Sequence, residues 1–254
     1  MSDLEKNIKR ISIVHYIRLG YRAILFAAAF VLYIINRAEP DMTNYKMIWV
    51  IWFVFIVEML FRLFPSKYES MGCQKQFGSN YLPDESANYS ETTGGSGIAA
   101  VAVIWIILNA LIGLVYLKGY IDSSVLVLIS LAYSICDVIC IMFFCPFQRW
   151  IMKNKCCVTC RIYNWDYAMM FTPLIFIHNF YSWSLVVFSV ILLLRWELTA
   201  HMRGERFSEA TNSNLKCENC MEKQCTLKYR KKRLMKNQQT KENTDSEVSK
   251  NLIL

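Results

Sequence analysis

Apolar positions in this chain come in long, nearly unbroken runs separated by polar links, with little of the alternation of a strand or the three-and-four spacing of a surface helix. A helix rising about 1.5 Å per residue needs about 17 to 25 apolar residues to cross a bilayer. Five stretches reach that length: residues 19–36, 47–64, 98–117, 124–145 and 170–194. The first and second are joined by a short link, as are the third and fourth, so each pair predicts a helical hairpin. The pattern predicts an all-α, polytopic integral membrane bundle of about five transmembrane helices.

The first run resembles a secretory leader in place and hydropathy. Its polar lead is long, however, and no small-residue cleavage site clearly follows, so it is expected to remain as a span. The fifth run divides into MMFTPLIFI, HNFYSWS and LVVFSVILLL. It reads as a single crossing with a polar midpoint. The alternative is a re-entrant hairpin, which is permitted only where protein or water satisfies the backbone.

The segments between and beyond the runs are polar. Residues 1–18 place Leu4, Ile8 and Ile11 at helical spacing among basic residues, which suits a helix along the membrane surface or an extension of the first span. Residues 65–97 end in a Gly/Ser stretch and predict a flexible loop, with a weakly specific glycosylation triplet at Asn88-Tyr89-Ser90. Residues 146–169 form a cysteine-rich loop, and 195–254 a basic, cysteine-containing tail.

Composition strengthens the membrane reading: of 254 residues, 55% are hydrophobic and only 19% charged. The net charge of +8 is unevenly spread. Lys6, Lys9, Arg10, Arg18, Lys67, Lys75, Arg149, Lys153, Lys155 and Arg161 fall on the amino-terminal face; the opposite short loops carry only Arg37, Lys46 and Lys118. By the positive-inside rule the amino terminus is cytoplasmic, in a multi-pass protein of the cell membrane whose principal partner is the lipid bilayer. Five crossings would then put the basic tail outside, a conflict that a hairpin in the fifth run would remove. The tail run KYRKKRLMK at 228–236 suits contact with anionic lipid, and without an aromatic platform or reading module no nucleic acid is expected.

The candidate chemistry is carried by sulfur. Cys156, Cys157 and Cys160 form CCxxC in the loop before the fifth run, and Cys217, Cys220 and Cys225 form CxxCxxxxC in the tail. A CxxC turn brings two thiolates within about 2.3 Å of one ion, and two such pieces complete a site for zinc or an iron–sulfur cluster. Cys145 is a further candidate ligand, although Cys140 and Cys145-Pro146 depart from the ferredoxin spacing. The same CxxC groups also suit dithiol–disulfide exchange. Cys136 and Cys140, on the fourth run, are expected to pack as small hydrophobes.

A second candidate site lies within the bilayer. Glu58, Asp137 and His178 each fall within about 3 to 7 Å of their span midpoints, displaced toward the face of the CCxxC loop. Ser130, Tyr133, Ser134, Asp137 and Cys140 make one polar stripe, which His178 and Asn179 could meet. The set suits a proton relay or cation pathway, or equally a structural network joining helices. No phosphate-binding glycine loop, GxSxG, HExxH or CxxCH occurs. The sequence therefore supports a membrane protein with a membrane-edge cysteine site for zinc or iron–sulfur, serving metal handling, sensing or electron transfer. A membrane dithiol oxidoreductase and a small cation or proton-coupled transporter are the alternatives.

Overall fold

The computed structural model describes residues 3–35, 46–84, 95–154, 156–216 and 219. Their regular structure is all helical, with no strand among them, only an isolated antiparallel bridge between Pro83 and Asn212. Among the described residues four helices are long and apolar enough to cross a membrane, within α1 (Asp3–Ile35), α4 (Gly95–Leu117), α5 (Ser123–Met142) and α7 (Phe180–Met202). α2 (Lys46–Arg62) has 17 residues and sits at the short end of the spanning range. The all-α membrane bundle is as the pattern predicts.

α1 runs without interruption from Asp3, so residues 3–18 extend the first span. Aromatic and aliphatic side chains fill the centre of the bundle: Phe55 and Met59 of α2, Leu126 and Leu131 of α5, Leu185 of α7. α4 is different, since Ile104, Ile106, Ile107, Leu111 and Leu114 are all exposed, as suits a lipid-facing helix.

The run at 170–194 is not one helix. α6 (Asp166–Phe171) passes into a 3-10 turn (Thr172–Phe176), the chain reverses over 177–179, and α7 begins at Phe180. Pro173 causes the break, because it lacks the N–H that would continue the ladder and its ring crowds the carbonyl one turn earlier. Thr172 helps by turning its hydroxyl back onto the Ala168 carbonyl at 2.6 Å. Asn179, extended, stands at the N-cap position of α7, where its carbonyl accepts from the Trp183 N–H at 3.1 Å.

This limb returns to where it began. Near its entry, Trp165 Nε1 donates to Glu197 at 2.6 Å and Trp196 Nε1 to the Arg161 carbonyl at 2.8 Å. At its far end Phe176 fills the space left by Gly113, close to the last turn of α4. The 166–176 limb is about 20 Å long by its helical rise and packs against α4, α5 and α7, which is what allows irregular backbone between them. The single crossing expected for 170–194 is therefore replaced by a hairpin of a broken limb and a full helix.

A cap closes the face at which the limb enters. Residues 65–84 do not behave as the flexible loop expected there: they fold into α3 (Met71–Gln74) and a 3-10 turn (Gly78–Asn80). Lys75 Nζ donates to the carbonyls of Val158 and Cys160, both at 2.8 Å, and Asn214 reaches the Asn80 carbonyl at 3.0 Å. Gly72 is required for this docking, because a Cβ there would come within 2.6 Å of the Tyr163 ring. The loop 65–84, the cysteine loop and the chain after α7 thus share one face, and Arg18 of α1 joins them by pairing with Glu69.

Candidate functional site

Two polar centres lie beneath and within this cap. The first is ionic. Arg22 is fully buried and donates to Glu58 at 2.7 Å, to Asp137 at 3.1 Å and to the Ser134 carbonyl at 2.8 Å, with Phe55 under its guanidinium. Arg62 donates to Asn164 at 2.7 Å and Asp166 at 2.8 Å, while Tyr167 donates to Glu58 at 3.0 Å. Arg18 bridges Glu69 and, at 3.7 Å, Glu58. Four elements, α1, α2, α5 and α6, are tied by these pairs.

Glu69, in the cap, shows how strong the local field is. Burial pushes its carboxyl up, yet Arg62 and Arg18 outweigh burial and hold it at about 2. In such a knot each carboxylate has its cation and each cation its carboxylate. That arrangement ties α1, α2 and α5 together through Glu58 and Asp137.

His178 is not part of it. His178 and Asn179 are exposed in the reversal between the limb and α7, with His178 beside Trp183 at 6.2 Å between rings. The expected common level of Glu58, Asp137 and His178 assumed an uninterrupted fifth helix; once Pro173 breaks it, counting from its midpoint has no meaning. Arg18 and Arg22 are members that sequence reading missed, while Arg62, which stands one turn after Glu58 as a possible partner for it, pairs instead with Asn164 and Asp166. Their signal was present as cations at the ends of apolar runs, where snorkelling is the usual outcome.

The second centre is sulfur-lined. A cavity of about 270 Å³ lies between α5, the π-helical turn Phe147–Ile151, the cysteine loop and α6. Cys136, Cys140, Cys145, Cys157 and Cys160 all reach it, with Trp105, Tyr133, Phe147 and Met170 among its apolar walls. Cys136 and Cys140, expected to pack as small hydrophobes, form part of this wall. The polar stripe of α5 divides here: Ser130 and Ser134 turn into the core, while Tyr133, Asp137 and Cys140 face the cavity.

The thiols differ in environment. The neighbouring Cys140 thiol and the backbone of Gln148 and Phe147 pull Cys145 down to about 7 against the effect of burial. Burial pushes Cys160 up. Cys157 and Cys160 lie on one tight turn, closed by Cys160 N–H to the Cys157 carbonyl at 2.9 Å; the Cys157 thiol donates to Gln148 at 3.0 Å. Beneath the loop Lys75 is fully buried against Trp196 and Phe207. Burial pushes its ammonium down to about 7, with the Cys160 sulfur acting in the opposite sense.

The CCxxC triplet is thus split. Cys157 and Cys160 face the cavity, whereas Cys156 packs with Met71 against the pair formed by Val158 and Leu215. Among the described residues no three of His, Cys, Asp and Glu are gathered to hold a metal, so Cys156, Cys157 and Cys160 do not form a site by themselves. Cys145 shares the cavity wall with Cys140, Cys157 and Cys160. Cys217, Cys220 and Cys225 lie outside the described residues, as does the basic run 228–236.

The fold and these two centres define a class: a polytopic helical membrane bundle with an arginine–carboxylate knot and a thiol-lined cavity at one face. No family model, curated protein or solved structure matches the chain.

Proposed function

We propose that this protein holds a cysteine-ligated metal centre, zinc or iron–sulfur, at one membrane face, and serves in metal handling, metal sensing or electron transfer there. The observation that carries the reading is the seat of Leu215 on Val158, at the middle of the CCVTC loop. It brings the chain to that loop at residue 215, which supports a reading in which both cysteine groups share a face. With Cys157 and Cys160 turned to the cavity, Cys156 is the loop ligand, and Cys217, Cys220 and Cys225 supply the other three thiolates of a four-sulfur set.

The buried Lys75 supports this charge balance. A four-thiolate zinc site carries two net negative charges, and an ammonium whose carbonyl partners belong to the same loop offsets part of them. The return of α7 to the amino-terminal face supports a cytoplasmic location for both termini and for the metal, since the basic tail then follows the positive-inside rule. Residues 228–236 would there meet the anionic lipid of the inner leaflet.

Metal analysis and an absorption spectrum of anaerobically purified full-length protein test the reading. Iron with a charge-transfer band, or about one zinc per chain, is expected, and either should fall by at least tenfold in a Cys217→Ser/Cys220→Ser variant that retains its helical content. Metal-free protein from metal-supplemented growth overturns it.

A further inference from the structure

The ionic knot and the cavity meet at two carboxylates, and the charge of the knot is uneven. Arg18, Arg22 and Arg62 are shared among Glu58, Glu69, Asp137 and Asp166, so four carboxylates face three guanidinium groups. His15 adds its field at Glu69, in the cap, and does not line the cavity.

Asp137 and Asp166 are the two members that reach the cavity wall. Each has one oxygen committed, Asp137 Oδ2 to Arg22 at 3.1 Å and Asp166 Oδ2 to Arg62 at 2.8 Å. Asp166 is only 8% exposed, and its Oδ1 is buried with no hydrogen-bond partner. An oxygen so placed is costly, and a donor arriving through the cavity relieves that cost.

The walls indicate what carries the donor. No Lys, Arg or His is among the residues lining the cavity, so an anion has nothing to bind there. At about 270 Å³ the space is much larger than a bare ion needs, and among the described residues no three of His, Cys, Asp and Glu gather to hold one. The rings in the wall do not stack: Trp105 is tilted by 56° to Tyr133 at 4.8 Å and stands edge-on, at 80°, to Phe147 at 6.2 Å. Rings set at such angles make walls that meet at a corner, and aromatic walls beside a carboxylate suit an ammonium group on an apolar body. Ile141, Met169 and Met170 offer surface to that body. A zwitterionic lipid headgroup fits poorly, because its phosphate would lie beside two carboxylates with no cation in the wall to meet it.

We propose that the cavity binds a small organic ammonium, a primary amine on a one- or two-ring apolar body, which donates its N–H groups to Asp137 and Asp166. Asp137 offers its second oxygen, and Asp166 turns Oδ1 toward the amine. Arg22 and Arg62 hold the two carboxylates from behind. One bound cation brings the cations level with the carboxylates. The site stands apart from the metal reading, because neither aspartate belongs to the proposed ligand set.

The test is calorimetric titration of the full-length protein in dodecyl maltoside with 2-phenylethylammonium, and with 2-phenylethanol as the uncharged control of the same shape. One amine should bind per chain, and the alcohol should bind about tenfold or more weakly. Asp137→Asn protein of unchanged helical content should lose about tenfold or more in affinity for the ammonium and keep its affinity for the alcohol. Cys140→Phe, which fills the cavity and leaves the ion pairs in place, should abolish binding of both. Added phosphatidylethanolamine should not compete. The Cys217→Ser/Cys220→Ser variant should bind the amine normally, which separates this outcome from failure of the metal reading. Equal affinity for alcohol and ammonium, full binding in Cys140→Phe, displacement by phosphatidylethanolamine, or no saturable heat with the ammonium would each overturn the proposal.

Discussion

The arginine–carboxylate knot and the sulfur-lined cavity are neighbours that share Asp137 and Asp166, yet they use buried polar chemistry in opposite ways. In the knot, charge is spent on charge: Arg22 alone engages Glu58, Asp137 and the Ser134 carbonyl. Across the cavity boundary, five cysteines surround open space lined by rings. The contrast teaches that ionisable groups deep in a helical membrane protein can be tied to one another as part of its architecture. The residues with capacity left for a ligand can be the ones that look like ordinary packing.

Breaking the knot should give the largest effect. Arg22→Ala removes the cation of two carboxylates at once and should destabilise the fold by about 3 to 5 kcal/mol. Thermal unfolding in detergent, followed by circular dichroism, checks this. Adding Glu58→Gln and Asp137→Asn to that variant should recover much of the loss, because the uncompensated charges are then gone. No recovery would sink the account of these carboxylates as partners of Arg22.

Next in size is the cap. Lys75→Ala leaves the Val158 and Cys160 carbonyls without their buried donor and opens a void beside Trp196, at a cost of about 2 to 4 kcal/mol. Faster hydrogen exchange over residues 156–162 with unchanged protection in α5 would place the damage in the cap. Equal loss in both would mean that the cap and bundle unfold as one unit.

A third test concerns the hairpin rather than either centre. Gly113→Ala sets a methyl group against the Phe176 ring and should cost about 1 to 3 kcal/mol, with partial rescue by Phe176→Leu. A neutral Gly113→Ala would argue against the packing of the 166–176 limb on α4.

The smallest expected effect is a pH dependence. The folded Glu69 carboxyl, at about 2, lies below its ordinary value of 4.5, so its ion pairs contribute fully above pH 4.5. That contribution is lost as pH falls through the window from 4.5 to about 2, where the unfolded state binds the proton first. Glu69→Gln should flatten the acid limb of the stability profile across that window. An unchanged slope in the variant would show that Glu69 is not the titrating group.

Much of the fold was legible because it depends on local quantities. Length and hydropathy of the runs, read against the bilayer, give α1, α2, α4 and α5 and place the two cysteine motifs outside them. The fifth run was ambiguous for a definite reason. MMFTPLIFI and LVVFSVILLL are apolar enough for either a crossing or a hairpin, and which forms depends on whether α4, α5 and α7 can sheathe the backbone that Pro173 interrupts.

The sequence by itself thus determined the medium, the helical class and the sulfur-rich face, since hydrophobic transfer and CxxC spacing act over short stretches. Tertiary structure alone decided the rest: that α7 returns to the amino-terminal face, that Arg22 pairs with Glu58 and Asp137, and that CCVTC is divided between Cys156 and the Cys157–Cys160 turn. These outcomes depend on side chains far apart in the chain meeting at a few ångströms. The strength of an ion pair or thiol contact is set by that distance and by the burial around it, and neither is written in the local order of residues.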